Sequence, residues 1–122
     1  MNRHEARLHI VYALYQHLLL KNDLNGCFIN NLPETDDVFI NTLVRDLNDN
    51  IDRYIKTISP HLKRWTFDRL NYVDQAILLE ALSEMSLGLN EKGVIIDEAV
   101  RIAKEYSDED SFKYINGVLD NL

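Results

Sequence analysis

Apolar residues recur along this chain at three- and four-residue intervals almost without a break, and no stretch shows the strict alternation of a half-buried strand. Ala6, Ile10, Val11, Leu14 and Leu18 make one stripe and predict a first helix over residues 4–20. Residues 22–26, Asn-Asp-Leu-Asn-Gly, read as a turn cluster, and residues 27–32 as a short helix ahead of Pro33. Thr35, followed by Asp36 and Asp37, has the pattern of an N-cap with acid in the first turn. The helix it opens carries Leu43, Leu47, Ile51, Tyr54, Ile55 and Ile58 and stops near Ser59, where Pro60 cannot continue it. A short helix over 61–64 follows, then a stripe of Val73, Ala76, Ile77, Ala81, Leu82 and Met85 ending near Gly88. Ile95, Ala99, Ile102, Ala103 and Tyr106 predict the next helix. The last starts after Ser107, whose spacing to Asp110 resembles a capping box, and buries Phe112, Ile115, Val118, Leu119 and Leu122. The expected fold is an all-α bundle of about six to seven helices.

Composition narrows this little but usefully. With 122 residues, 46% of them hydrophobic, the chain can bury one modest core without disulfides or a structural metal. Its one cysteine, Cys27, has no partner within the chain, and no segment has the layout of a signal peptide or a membrane span, so a reducing, cytoplasmic setting is expected. A net charge of −7 argues against nonspecific coating of nucleic acid, which draws its affinity from neutralised phosphates. The charge is unevenly spread. Residues 53–69 carry Arg53, Lys56, Lys63, Arg64 and Arg69 against Asp68 alone, a local +4, which leaves −11 for the rest. This island suits either a solvated helix surface or a small local basic site, which the net charge does not exclude.

Catalytic patterns are missing. His4, His9, His17 and His61 show no metal-ligand spacing, and His4 and His9, five residues apart, fall on different faces of a helix. There is no phosphate-cradling glycine loop, dinucleotide fingerprint, zinc-protease motif or nucleophile elbow, and Cys27 has no basic neighbour in sequence. The acidic run at 107–111 lacks the spacing and glycine of a calcium loop and reads as acid at a helix N-terminus. We expect no enzyme, no metal and no cofactor.

Two longer motifs carry more information. The run HLKRWTFDRLNYVDQAIL at 61–78 and the closing VIIDEAVRIAKEYSDEDSFKYINGVLDNL at 94–122 resemble the corresponding segments of the NusB family of bacterial transcription antitermination factors. ARLHIVYALYQ, from Ala6, fits that family's first helix, whereas the likeness over 22–59 is weak. The resemblance implies one domain, 1–122, of two three-helix subdomains, 1–59 and 60–122. It implies a factor that pairs with NusE, a small-subunit ribosomal protein, and as that heterodimer binds the boxA element of nascent RNA, working with RNA polymerase on ribosomal RNA operons. Two alternatives stay open: an interaction module whose RNA site has decayed, and an RNA-binding accessory domain of a ribosomal RNA methyltransferase.

The resemblance also assigns residues. The family's RNA site begins in an arginine-rich N-terminal segment, matched here by Arg3, His4 and Arg7, with Glu5 where a further basic residue is common. Arg3 and Arg7 share a helix face and each suits a phosphate, although two arginines beginning a helix are also ordinary. Lys113 and Tyr114 match RNA-facing positions, the lysine for phosphate and the ring for stacking or for packing; Asp110 matches an acidic position beside them. Asp68, Asp74 and Tyr15 match NusE contacts, Asp74 reading otherwise as an exposed carboxylate at a helix start. Trp65 is expected to pack between the subdomains.

Overall fold

The computed structural model describes residues 1–122. Helix α1 spans Arg3–Leu20; Asn2 caps it by accepting from the Glu5 amide at 2.8 Å, and Lys21 closes it in the left-handed conformation. Helix α2 spans Leu24–Asn31 and takes up most of the expected turn cluster, because the Asp23 carboxylate accepts from the Gly26 amide at 2.9 Å and Leu24 is buried. Helix α3 spans Val38–Ile58. Its cap is Asp37, which accepts from the amides of Phe39 and Ile40, rather than Thr35; the Thr35 hydroxyl accepts from the Asp37 amide and shapes the turn before it. Pro60 sits in a single 3-10 turn, Ser59–His61, and a second such turn covers Phe67–Arg69. The helix expected over 61–64 does not form. Leu62 and Phe67 are buried and pin the segment at both ends, leaving Lys63 to Thr66 exposed between them.

Helix α4 spans Tyr72–Leu87, opened by Asn71, whose side chain accepts from the Asp74 amide, and closed by Gly88 at φ 64, a conformation only glycine adopts without cost. Helices α5, Lys92–Tyr106, and α6, Ser111–Asp120, complete the chain. The Ser107/Asp110 capping box is absent: the Ser107 hydroxyl turns inward to Asp74, and Asp110 stands at the cap position with no side-chain hydrogen bond to the α6 amides.

Three helices precede Pro60 as ordered helices and three follow, and the apolar core runs across both sets, from Ala6 to Leu119. Helix α4 is its axis. Every residue from Asp74 to Glu84 is buried, and α1, α3, α5 and α6 all pack against it. A helix buried all round carries its polar residues into the core, where each must find a partner. Ser83 donates to Asp46 of α3 at 2.6 Å, and the same carboxylate oxygen accepts from the Tyr54 hydroxyl at 2.5 Å. Glu84 accepts from Arg7 of α1 twice, Nε at 2.8 Å and Nη2 at 2.9 Å. Burial alone would raise the Glu84 carboxyl, but hydrogen bonds from Glu80 and Arg7 outweigh it and hold Glu84 below its ordinary range. Glu80, one turn earlier, goes the other way. Its burial first, and then its contact with Glu84, raise it well above the usual carboxylate range and favour the protonated form, while its Oε2 is buried with no hydrogen-bond partner.

A group whose folded pKa is raised contributes stability below its unfolded pKa, about 4.3 for glutamate, and loses that contribution as pH rises through the folded value. Glutamine reproduces the protonated acid without ionising. Glu80→Gln is therefore expected to gain stability over the parent chain as pH rises from about 4.5 to 8. Urea unfolding across that range checks it; a pH-independent difference would show Glu80 ionised in the fold.

Candidate nucleic-acid interface

The N-terminal residues divide by burial. Arg3 is exposed, with Nη1 donating to Asn90 Oδ1 at 3.2 Å and its guanidinium 4.7 Å from the centre of the Phe39 ring. His4 Nδ1 lies 3.0 Å from Glu98 Oε2. Arg7 is only 3% exposed, its fork filled by Glu84 and its remaining Nη1 3.7 Å from Glu98. Of the two arginines expected at the surface, Arg3 alone is exposed, and the expectation for Arg7 is corrected. Arg7 lies on the inward side of α1 between Ala6 and Ile10, and there it binds α1 to α4.

The α6 residues stand elsewhere. Arg7 meets α4 at Glu84, whereas the Tyr114 hydroxyl lies near Asp74, ten residues back along the same helix and therefore about 15 Å along its axis. Tyr114 is half-buried; its hydroxyl has no hydrogen-bond partner, and burial, then the Asp74 charge, raise its phenol. Lys113 and Asp110 are exposed, with Nζ and Oδ1 3.8 Å apart. Lys113 and Tyr114 share a groove of about 460 Å³ with His61, Lys63, Arg64 and Trp65, so the basic island and α6 form one surface. Trp65 is 51% exposed here, not packed between halves of the protein as expected.

The expected partner residues separate too. Asp74 is buried rather than an exposed carboxylate: Oδ1 accepts from Ser107 Oγ at 2.6 Å and Oδ2 from Ser111 Oγ at 2.9 Å, which fastens the α5–α6 junction to the start of α4. Burial raises its carboxyl, and those hydroxyl bonds work against the rise. Asp68 is exposed beside Tyr72 and Lys21 in a groove of its own. Tyr15 lines an apolar groove of about 440 Å³ together with Tyr12, Val11, Val73, Ile102 and Tyr106. Tyr12 and Tyr106 were not singled out in sequence as surface residues, and Tyr106 was counted in the core; both are more than half exposed. The available signal was Tyr12 itself, an aromatic outside the core stripe three residues before Tyr15.

No group of three or more His, Cys, Asp or Glu side chains is placed to hold a metal, and no helix is long and apolar enough to cross a membrane. Residues 4–122 match the NusB family. The chain belongs to that family. Curated relatives span its whole length: the transcription antitermination protein NusB of Staphylococcus haemolyticus is 38% identical, with 100% of this chain and 99% of the relative covered, and that of Macrococcus caseolyticus is 35% identical, with 100% and 96% covered. The solved T. maritima NusB superposes with a TM-score of 0.89 at 33% identity, over 99% of this chain and 89% of that one. A solved complex of the antitermination factors NusB and NusE with dsRNA matches with a TM-score of 0.81 at 25% identity, over 99% of this chain and 96% of that one.

In this NusB-family chain, Asp74→Ala removes the acceptor of the buried Ser111 hydroxyl and of the half-buried Ser107 hydroxyl, which keep only each other at 3.0 Å, and an unsatisfied buried polar group costs about 1–3 kcal/mol. We expect a loss of that order in urea unfolding. Asp74→Lys is expected to prevent folding, whereas an exposed position would tolerate either change within about 0.5 kcal/mol.

Proposed function

We propose that this protein is a transcription antitermination factor that pairs with NusE and, as that heterodimer, binds boxA RNA and supports transcription of ribosomal RNA operons by RNA polymerase. The observation that carries this reading is the full-length likeness, in sequence and fold, to a NusB solved with NusE and RNA. The protein works by binding rather than catalysis, in the cytoplasm. Tyr15, Tyr12 and Tyr106 offer NusE an apolar, aromatic groove, and exposed Asp68 a charge complementary to a basic ribosomal protein. RNA is met by Arg3 at one end of α4 and by Lys113 and Tyr114 at the other, with Asp110 beside them and His4 against Glu98.

Few free cations give a small phosphate-neutralising term, so the isolated chain should bind boxA RNA weakly and much more tightly once NusE is added. Gel shifts with and without NusE test this; tight binding by the chain alone would contradict it. A second reading, an interaction module with a decayed RNA site, draws support from the loss of Arg7 to the interior, and absence of boxA binding even with NusE would favour it. For the partner surface, Tyr15→Ala is expected to weaken NusE binding by roughly 30-fold, as truncation of a central aromatic anchor does. Equal calorimetric affinity would place NusE on another face.

Asp110 competes with RNA phosphates for Lys113 and repels them. Asp110→Asn should tighten boxA binding by the NusE complex at low salt, with the gain shrinking as salt rises. Titrations at two ionic strengths decide; equal or poorer affinity in the mutant would put the RNA away from this end of α6.

A further inference from the structure

The groove between residues 61–65 and α6 has three properties that its place in the fold does not require. Its nine lining residues include Lys63, Arg64 and Lys113 and no acid, in a chain of net charge −7. Lys63 and Arg64 make neither an ion pair nor a side-chain hydrogen bond, and the single exposed pair of Lys113 with Asp110 holds it weakly. The only tryptophan of the protein stands at the rim with half its surface in water, where burying an indole would be worth more to the fold than exposing it.

A glycine sets the groove apart as well. Gly117 lies inside α6, where glycine is less favourable than alanine by about 1 kcal/mol, yet a Cβ built on it would meet nothing within 4 Å. Neither a turn nor close packing asks for it. Lys113 and Gly117 of α6 and Asn121 at its C-cap succeed one another at four-residue intervals and so form one strip facing the groove, with the glycine baring the helix backbone at its centre. Asn121 donates Nδ2 to the Gly117 carbonyl at 2.9 Å, which leaves its Oδ1 to accept from a ligand. Beyond Trp65 and Tyr114 the surface changes sign: the adjoining groove holds Asp108, Glu109 and Asp110.

We propose that this groove extends the RNA site of α6 onto the 61–65 segment and seats one unpaired nucleotide, its base stacked on the Trp65 indole and its flanking phosphates on Lys63, Arg64 and Lys113. The proposal rests on the RNA-binding reading above. Unpaired bases are recognised by stacking on aromatic rings, and a cationic groove tracks the backbone. Gly117 lets the nucleotide approach the helix closely, and the acid beyond Trp65 directs the strand along α6 toward Asn121 rather than across Asp108 to Asp110.

The test measures, by fluorescence anisotropy, binding of a labelled boxA RNA with single-stranded flanks to the complex of the full chain with NusE. Trp65→Ala should weaken binding roughly tenfold, the order that loss of one base stack brings. Lys63→Gln with Arg64→Gln should lower the dependence of log K on log salt by about one to two. Gly117→Gln fills the groove while favouring helix, so binding should fall with an unfolding temperature equal to or above that of the parent. Parent affinity in both Trp65→Ala and Gly117→Gln would overturn the groove site and leave the function reading standing. Failure of the unmodified complex to bind boxA RNA would overturn both. Loss of NusE rather than RNA from these variants would make the groove a protein surface and likewise overturn the site.

Discussion

Burial of α4 on every side is the constraint to which the rest of the fold answers. Apolar contact alone tolerates sliding, since it is non-directional and scales with area. The polar residues of α4 remove that freedom, because a buried donor or acceptor is stable only opposite a partner of the right kind at hydrogen-bond distance. Asp74, Ser83 and Glu84 each draw a different element: the α5–α6 junction through Ser107 and Ser111, α3 through Asp46, and α1 through Arg7. Breaking a buried charge pair by deleting one member costs about 3–5 kcal/mol, comparable with much of a small domain's net stability. The Arg7–Glu84 pair thus sets the register of α1 more firmly than the alanines and leucines around it.

That choice decides which charges are left outside. Arg7 serves the interior, and His4 is turned to Glu98, so the N-terminal segment of the chain exposes one arginine. Lys63 and Arg64, neither of them paired with a carboxylate, stand instead on the short segment that Pro60 and the buried Leu62 and Phe67 hold out of any helix. The apolar surface has a similar origin. Tyr12 and Tyr15 lie one turn apart on α1, their rings 6.4 Å between centres, and with Tyr106 they stand over the seam of α1, α4 and α5, where no further helix covers them.

The helices were legible because their signal is repeated many times: a stripe such as Ala6, Ile10, Val11 and Leu14 is read from period alone, and all four residues are buried. The failures came where a single residue had to be placed. Arg7 and Asp74 carry charge and were assigned to solvent, since partners 77 and 33 residues away leave no local trace. Trp65 and Tyr106 erred in the opposite sense, large rings given to the core by default and found exposed. Thr35 and Asp37 are both competent caps two residues apart, and only the backbone decides between them. Residues 61–64 are too few for periodicity to speak. The family resemblance supplied the function and the candidate residues, but it carried no information on which of them this chain turns inward.

The start of α4 joins the two surfaces. Val73 reaches the tyrosine groove, while its neighbour Asp74, rotated by about 100° on the helix, holds the hydroxyls that fix α6 and lies beside the Tyr114 phenol. Asn71 caps this same turn and bonds Asp108 beyond the α5 C-terminus. One helical turn therefore carries the floor of the partner groove on one side and the anchor of α6 on the other. The latter sets where Lys113 and Tyr114 stand relative to Trp65, across a groove whose far wall, Lys63 to Trp65, is held only at its ends. Through Asp74, α4 fixes one wall of that groove, and the other wall carries Lys63 and Arg64, two cations free of carboxylates.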